Sequence, residues 1–179
     1  MKISDSVKAG IAIIYQEFNN VKGLSAAENL FLGNPIMKGI LVDKKAMEKE
    51  ASKAFAQLNI TIDPKKLIKD LSVGYQQMVE IAKAIQQNAK VLIMDEPSAP
   101  LTKAEVESLF KVCQLLKSKG VSIVYISHRL EEIFQLSDRI VVLRDGEYIK
   151  TLQTDETNVD ELIQLMVGRD LKESYPPRK

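Results

Sequence analysis

The chain of 179 residues is 45% apolar and carries only 6 prolines, so it can bury a sizeable core as one domain or two small lobes. Its 25 basic and 24 acidic residues leave a net charge of +1, which excludes a global field that would recruit nucleic acid or an anionic membrane. The single cysteine, Cys113, excludes an internal disulfide and points to a reducing compartment; on the apolar side of a helical pattern, it reads as a core residue.

The opening "MKISDSVKAGIAIIYQEF" holds a five-residue apolar run, too short for a signal-peptide core, and no run elsewhere approaches a membrane span. The chain is therefore expected in the cytoplasm, with any membrane role requiring a partner. Gly10 to Tyr15 reads as one buried strand that ends at Gln16 and Glu17. From Val21 to Asp70 the pattern is that of a small helical lobe. "SAAENLFLG" opens with the cap Ser25 and has Glu28 three positions on, and "DKKAMEKEASKAFAQLNI" sets Ala46, Met47, Phe55 and Leu58 among charges. Pro35 and Gly39 break this lobe into pieces. Its eight lysines between Lys38 and Lys69, against four acids, read as a solvated face.

Met78, Val79, Ile81, Ala82 and Ile85 then mark a helical face, and "KVLIMDEP" follows as an apolar strand ending on two carboxylates. Thr102 and Glu105 make a capping box for a helix whose apolar positions are Val106, Leu109, Phe110, Cys113 and Leu116, with Gly120 placed to stop it. "VSIVYIS" is a further apolar strand, leading to His128. Strand, helix, strand with both strands apolar throughout is a βαβ unit, and predicts a parallel sheet covered on both faces. After a short helix at Arg129 to Leu136, "DRIVVLRDGEYIKTLQT" predicts a tight hairpin around Asp145 and Gly146. "NVDELIQLMVGRD" is a last amphipathic helix, and "LKESYPPRK" reads as a linker. The chain shows no internal repeat and no low-complexity tract.

In parallel α/β sheets ligands bind beyond the carboxyl ends of the strands. Gln16, Asp95, Glu96 and His128 all fall at that edge, each after an apolar run. Asp95 and Glu96 resemble a Walker B pair, in which the first carboxylate can hold Mg²⁺ and the second can act as general base toward water. Taken singly, a solvated Asp-Glu, a structural histidine or a lone glutamine has an ordinary explanation; in this order, with "LSVGYQQ" before the carboxylates, they read as one site.

"YQEF" resembles the Q-loop, "LSVGYQQMVEIAKAI" the signature segment, "VLIMDEPSAPLT" Walker B with its D-loop, and "ISHRLEEIFQLSDRIVVLRDG" the H-loop of an ABC-transporter ATPase cassette. The resemblance runs from about Gly10 to the tail. It implies an α/β fold, a partial P-loop NTPase (RecA-like) parallel sheet with an α-helical subdomain and a C-terminal β-hairpin. "QQMVEIAKAI", Leu101-Thr102 in place of Leu-Asp, and "VGRDLKESYPPR" resemble the first cassette of two-cassette ATPases that energise bacterial monosaccharide importers of the ribose and galactose type. In that subfamily the second cassette commonly lacks the H-loop histidine, so His128 favours the first. The implied organisation is 1–20 for the end of an N-terminal core with the Q-loop and 21–88 for a helical subdomain ending in the signature and its helix. Residues 89–168 would then form a catalytic core with Walker B, D-loop and H-loop, and 169–179 a linker to a second cassette.

The resemblance implies ATP and Mg²⁺ as cofactors, with Glu96 and His128 catalytic and Asp95 and Gln16 at the metal. The implied nucleotide contacts are Gln16, Leu71, Ser72, Val73, Gly74, Tyr75, Gln76, Asp95, Ala99, Leu101 and Thr102. In the family two cassettes face each other head to tail, and the signature of one closes over ATP held by the other. A serine hydroxyl, a glycine amide and a helix amino end then meet the γ-phosphate, the roles expected of Ser72 and Gly74. The implied partners are a second cassette, transmembrane permease subunits and, indirectly, a sugar-binding protein, at the cytoplasmic face of a bacterial membrane; nucleic acid is not among them. Chromosome-maintenance ATPases share some motifs but carry long heptad coiled coils, and the interval from Gln16 to Leu71 is short and lacks heptads.

The sequence departs from the family at three positions. Val73 stands for a glycine, where a positive φ would be costly; Tyr75 stands for a glutamine, removing an amide donor; Thr102 stands for the D-loop aspartate, a change shared with the subfamily. No pair of the 8 glycines has the G-x-x-x-x-G-K-[ST] spacing that cradles phosphates. The expectation is thus a cassette fragment that begins after its P-loop and is inactive alone, with one side of its sheet uncovered and prone to self-association. The competing expectation is a half-site that only lends its signature to a partner cassette.

Overall fold

The computed structural model describes residues 9–16 and 19–168. Residues 1–8, Glu17 and Phe18 of the Q-loop segment, and the linker expected over 169–179 lie outside the described residues. The chain divides into two compact units, Met1–Ile126 and Ser127–Lys179.

The first unit is built on a three-stranded sheet in the order β1 (Ile11–Ile14), β4 (Val91–Asp95), β5 (Ser122–Ile126), all parallel. Ile13 lies beside Ile93 and Ile93 beside Val124, so these three share one face, while Ile14, Met94 and Tyr125 share the other. On the second face Ile14 is 2% exposed, and Leu92 and Met94 are completely buried. That face packs against two helices, α3 (Val73–Gln86) and α4 (Lys103–Ser118), whose buried residues include Val79, Ile81, Leu109, Phe110, Cys113 and Leu116. The first face is different: Ile13, Val124 and Ile126 are each about half exposed, at 45%, 47% and 46%. The expectation of a sheet covered on both faces therefore needs correction. Apolar runs of strand length bury only one side here, and the other carries the apolar patch expected of an uncovered sheet.

Between β1 and α3 lies the helical lobe: α1 (Ala26–Leu30), the two-stranded hairpin β2 (Met37–Lys38) and β3 (Leu41–Val42), and α2 (Lys44–Gln57). The expected capping box at the start of α1 is present, with Glu28 N donating to Ser25 Oγ and Ser25 N to Glu28 Oε2. The break expected at Gly39 is the turn of the small hairpin, where its φ is +65°. Asn29, 1% exposed, has its amide fully used: Oδ1 accepts from Val21 N, and Nδ2 donates to the carbonyls of Val21, Leu24 and Ser25. Ala26 and Ile68 then tie the start of α1 to the strap that leads into Leu71, through Ala26 N to Lys66 O and Ile68 N to Leu24 O. This strap sets where α3 begins.

The second unit holds α5 (Leu130–Leu136), the antiparallel hairpin β6 (Arg139–Arg144) and β7 (Glu147–Gln153), and α6 (Val159–Val167). Asp145 and Gly146 have φ of +54° and +81°, the pair of left-handed residues that a two-residue hairpin turn requires. Its core is Ile140, Val142 and Leu162, with Phe134, Ile149 and Leu165 packed around them.

Candidate functional site

Three of the expected residues meet at the carboxyl edge of the first unit's sheet. Asp95 is the last residue of β4 and pairs with Ile126, the last of β5. Alternation from Ile93 places Asp95 on the half-exposed side of the sheet, away from α3 and α4. Glu96 follows with φ of +44°, a left-handed conformation uncommon for a residue with a long side chain. Its amide donates to Ile126 O at 2.9 Å and its carbonyl accepts from Ala99 N at 3.2 Å, so the chain is held as it turns off the strand. Backbone in such a region costs on the order of 1 kcal/mol and concentrates where geometry serves a purpose. Gln16, exposed, lies two positions past the end of β1 at the same edge. His128 is exposed and belongs to the second unit, so it is placed by a different body.

From Glu96 the chain makes two successive turns, Ala99 N to Glu96 O and Leu101 N to Ser98 O, and delivers Thr102 to the start of α4. Ala99 and Thr102 are exposed and Leu101 is half-buried. Thr102 and Glu105 form the expected capping box, with Glu105 N donating to Thr102 Oγ1 and Thr102 N to Glu105 Oε2 at 3.0 Å. Glu105 goes further. Its Oε1 accepts from the Ser72 hydroxyl at 2.7 Å and from Gly74 N at 3.0 Å.

Ser72 is the N-cap of α3, yet its hydroxyl makes no bond to its own helix. Gly74 N, an amide of the first turn with no intrahelical partner, is satisfied from α4 instead. One carboxylate thus caps two helices. Its pKa is pulled to about 2, first by the Ser72 hydrogen bond and then by the Thr102 amide. Gly74 is a glycine for a local reason: a Cβ there would sit 2.6 Å from Glu105 Cγ and 2.7 Å from Oε1. Val73 is the first residue of α3 and is not among the residues of positive φ, so the cost expected there does not arise. Leu71 is buried at 8% and Tyr75 is 45% exposed. Gln76 reaches back with Nε2 to Leu71 O at 3.0 Å, bracing the segment.

A second link joins this helix to the chain after the Q-loop segment. Glu80, 8% exposed, accepts from Asn19 N, and Asn20 Nδ2 donates to Gln76 O at 2.9 Å. Burial raises the Glu80 pKa against the pull of those amides. The sequence reading missed both carboxylates as connectors. Glu80 carried a signal, an acid inside an otherwise apolar face; Glu105 carried none beyond its capping box, because its second role depends on where α3 lies.

A sequence model of the ABC transporter family matches residues 1–99. The chain is 51% identical over 174 residues to the xylose import ATP-binding protein of Moorella thermoacetica, covering 97% of this chain and 34% of that one. It is 56% identical over 171 residues to the ribose import ATP-binding protein of Lactococcus lactis subsp. lactis, covering 94% and 35%. The chain therefore spans about a third of the length of the curated relatives it matches. Among solved structures, an ATP-binding cassette of an ABC transporter in its ADP conformation overlays with a TM-score of 0.76 at 23% identity, covering 94% of this chain and 72% of that one. The dimeric post-hydrolysis state of another ATP-binding cassette, bound to ADP and Pi, overlays at 0.67 with 25% identity, covering 86% and 68%. With the family model covering more than half of its length, this chain belongs to the ABC transporter family.

Proposed function

We propose that this chain is part of the ATP-hydrolysing subunit of a bacterial monosaccharide importer, peripheral to the cytoplasmic face of the membrane. The observation that carries the reading is the Asp95–Glu96 pair at the end of β4, with Glu96 locked in a left-handed turn by Ile126 and Ala99. The xylose and ribose import relatives support the substrate class. Mg²⁺ keeps several waters and takes phosphate oxygens as ligands, so it needs only one or two protein oxygens, a demand that Asp95 and Gln16 fit. Bound there with ATP, it supplies charge neutralisation on the phosphates. Glu96 is the general base that accepts a proton from the attacking water, and His128 the hydrogen-bonding group toward the γ-phosphate. Leu71 to Gln76, with Ala99, Leu101 and Thr102, form the surface offered to a second cassette, an arrangement that the dimeric cassette structure supports. Among the described residues no helix is long and apolar enough to cross a membrane, so permease subunits would carry the sugar.

The test is uptake of labelled ribose, xylose and galactose by the source cell with Glu96→Gln introduced at its own locus. Loss of uptake of at least one sugar is expected; unchanged uptake of all of them overturns the reading. A second reading rests on the lack of P-loop spacing among the 8 glycines, beside a Ser72 hydroxyl and a Gly74 amide that both donate to one carboxylate. On that reading the chain alone is a half-site without turnover. Magnesium-dependent phosphate release by the purified chain, above that of its Glu96→Gln variant, would count against it.

A further inference from the structure

We propose that Glu105 is an internal anion seated on the phosphate donors of the signature, and that it must swing away before Ser72 and Gly74 can hold a phosphate. The inference rests on the reading of those two residues as contacts to a partner's nucleotide, and adds a residue outside that motif which controls their availability.

A serine hydroxyl has one hydrogen to donate and a backbone amide has one. Ser72 and Gly74 both give theirs to the same oxygen, Oε1 of Glu105, at 2.7 and 3.0 Å. A phosphate oxygen placed on these donors would meet a carboxylate already there, competing for the same two hydrogens and repelled by its charge. Occupancy by Glu105 and by phosphate are therefore mutually exclusive.

The other oxygen shows how exchange can occur without unfolding. Oε2 is held independently by Thr102 N at 3.0 Å and by Thr102 Oγ1 at 2.9 Å. Withdrawing the carboxylate opens the α3 amino end and leaves the other half of the α4 cap, Glu105 N to Thr102 Oγ1, in place. Glu105 is then a positioning residue. While seated, it keeps the Ser72 hydroxyl turned away from its own helix and aimed as an anion donor; once displaced, it leaves both hydrogens pointing at the incoming phosphate. Because Thr102 ends the turn that begins at Glu96, the same carboxylate ties the chain after the Walker B pair to the signature.

The test uses the ¹⁵N-labelled chain titrated with inorganic phosphate at neutral pH, following the Gly74 amide by NMR. Glu105→Gln keeps a capping-box residue at the same position, and removing the charge is expected to tighten phosphate binding by about tenfold. Adding Ser72→Ala to that variant is expected to abolish the gain. In the unmutated chain, ¹³C-labelled at glutamate, the Glu105 carboxylate signal should move with the same midpoint as the Gly74 amide. Equal affinity in the parent and Glu105→Gln, or a Glu105 signal that stays still while Gly74 moves, overturns the role of Glu105 and leaves the signature reading standing. A Gly74 amide that responds to phosphate in no variant overturns both.

Discussion

Ser72 and Glu105 lie 33 positions apart, and the hydroxyl of one donates to the carboxylate of the other at 2.7 Å, joining the amino ends of two long helices. The bond is the first cause of a Glu105 pKa near 2, well below the ordinary 4.5. A carboxyl whose pKa is depressed by folding contributes stability above its unfolded pKa, and the contribution is lost as pH falls from about 4.5 to about 2. Solvent screens a carboxylate this exposed, so the contribution is about 1 kcal/mol. Ser72→Ala is expected to raise the Glu105 pKa and to shrink that acid-side loss. A carboxylate-resolved NMR titration checks it, and an unmoved midpoint would show that the bond is not made in solution.

Gly74→Ala addresses the same contact from the other side. The new methyl would overlap Glu105 Cγ and Oε1 at 2.6 and 2.7 Å, and the side chain is what gives way. Alanine gains up to about 1 kcal/mol of helix propensity over glycine, while the lost hydrogen bonds cost about as much. Thermal stability should therefore change little, while the Glu105 titration moves upward as it does in Ser72→Ala. A stable variant with an unmoved Glu105 would contradict the crowding.

The elements whose signals are local were readable in the sequence. The capping boxes at Ser25–Glu28 and Thr102–Glu105 and the Asp145-Gly146 turn each depend on residues within four positions, and each stands as expected. The edge of the sheet was readable as well, since apolar runs ending on Gln16 and Asp95 need only be parallel to place those residues together. What the sequence could not show was tertiary. Glu105 meets Ser72 only because the strap from Lys66 to Ile68 fixes the start of α3. Val73 escapes strain only because it lies in the first turn of a helix rather than in a left-handed loop. The βαβ pattern alone implied cover on both faces, since an apolar run says that a strand prefers burial and not what buries it; the half-exposed face agrees with the other expectation, of one uncovered side.

Glu80 predicts an effect of opposite sign to Glu105. Burial raises its pKa, so the native state favours the protonated form. The stability it permits is fully present below the unfolded value of 4.5 and declines as pH rises through the folded pKa. Glu80→Gln keeps an oxygen that can accept from Asn19 N and removes the buried charge. The variant is expected to match the parent at acid pH and to exceed it near neutrality, as measured by urea unfolding at two pH values. A loss confined to neutral pH would mean that the carboxylate's charge, and not its acceptor, holds the Asn19 segment.

The half-exposed face of the sheet predicts association. Ile13, Ile93 and Val124 form a row across three strands, with Ile126 one step further along β5. Among the described residues β1 and β5 are the outer strands of this sheet. Burying such side chains between two copies is worth roughly 25 cal/mol per Å² of apolar surface. A lysine at position 124 would lay its methylenes over the row and present its ammonium group to solvent. Sedimentation velocity over rising concentration should show the parent chain self-associating and Val124→Lys doing so about tenfold more weakly, the factor that about 1.4 kcal/mol provides. A parent chain that stays a clean monomer at high concentration would refute the expectation, because no lysine effect could then be read as relief of an apolar contact.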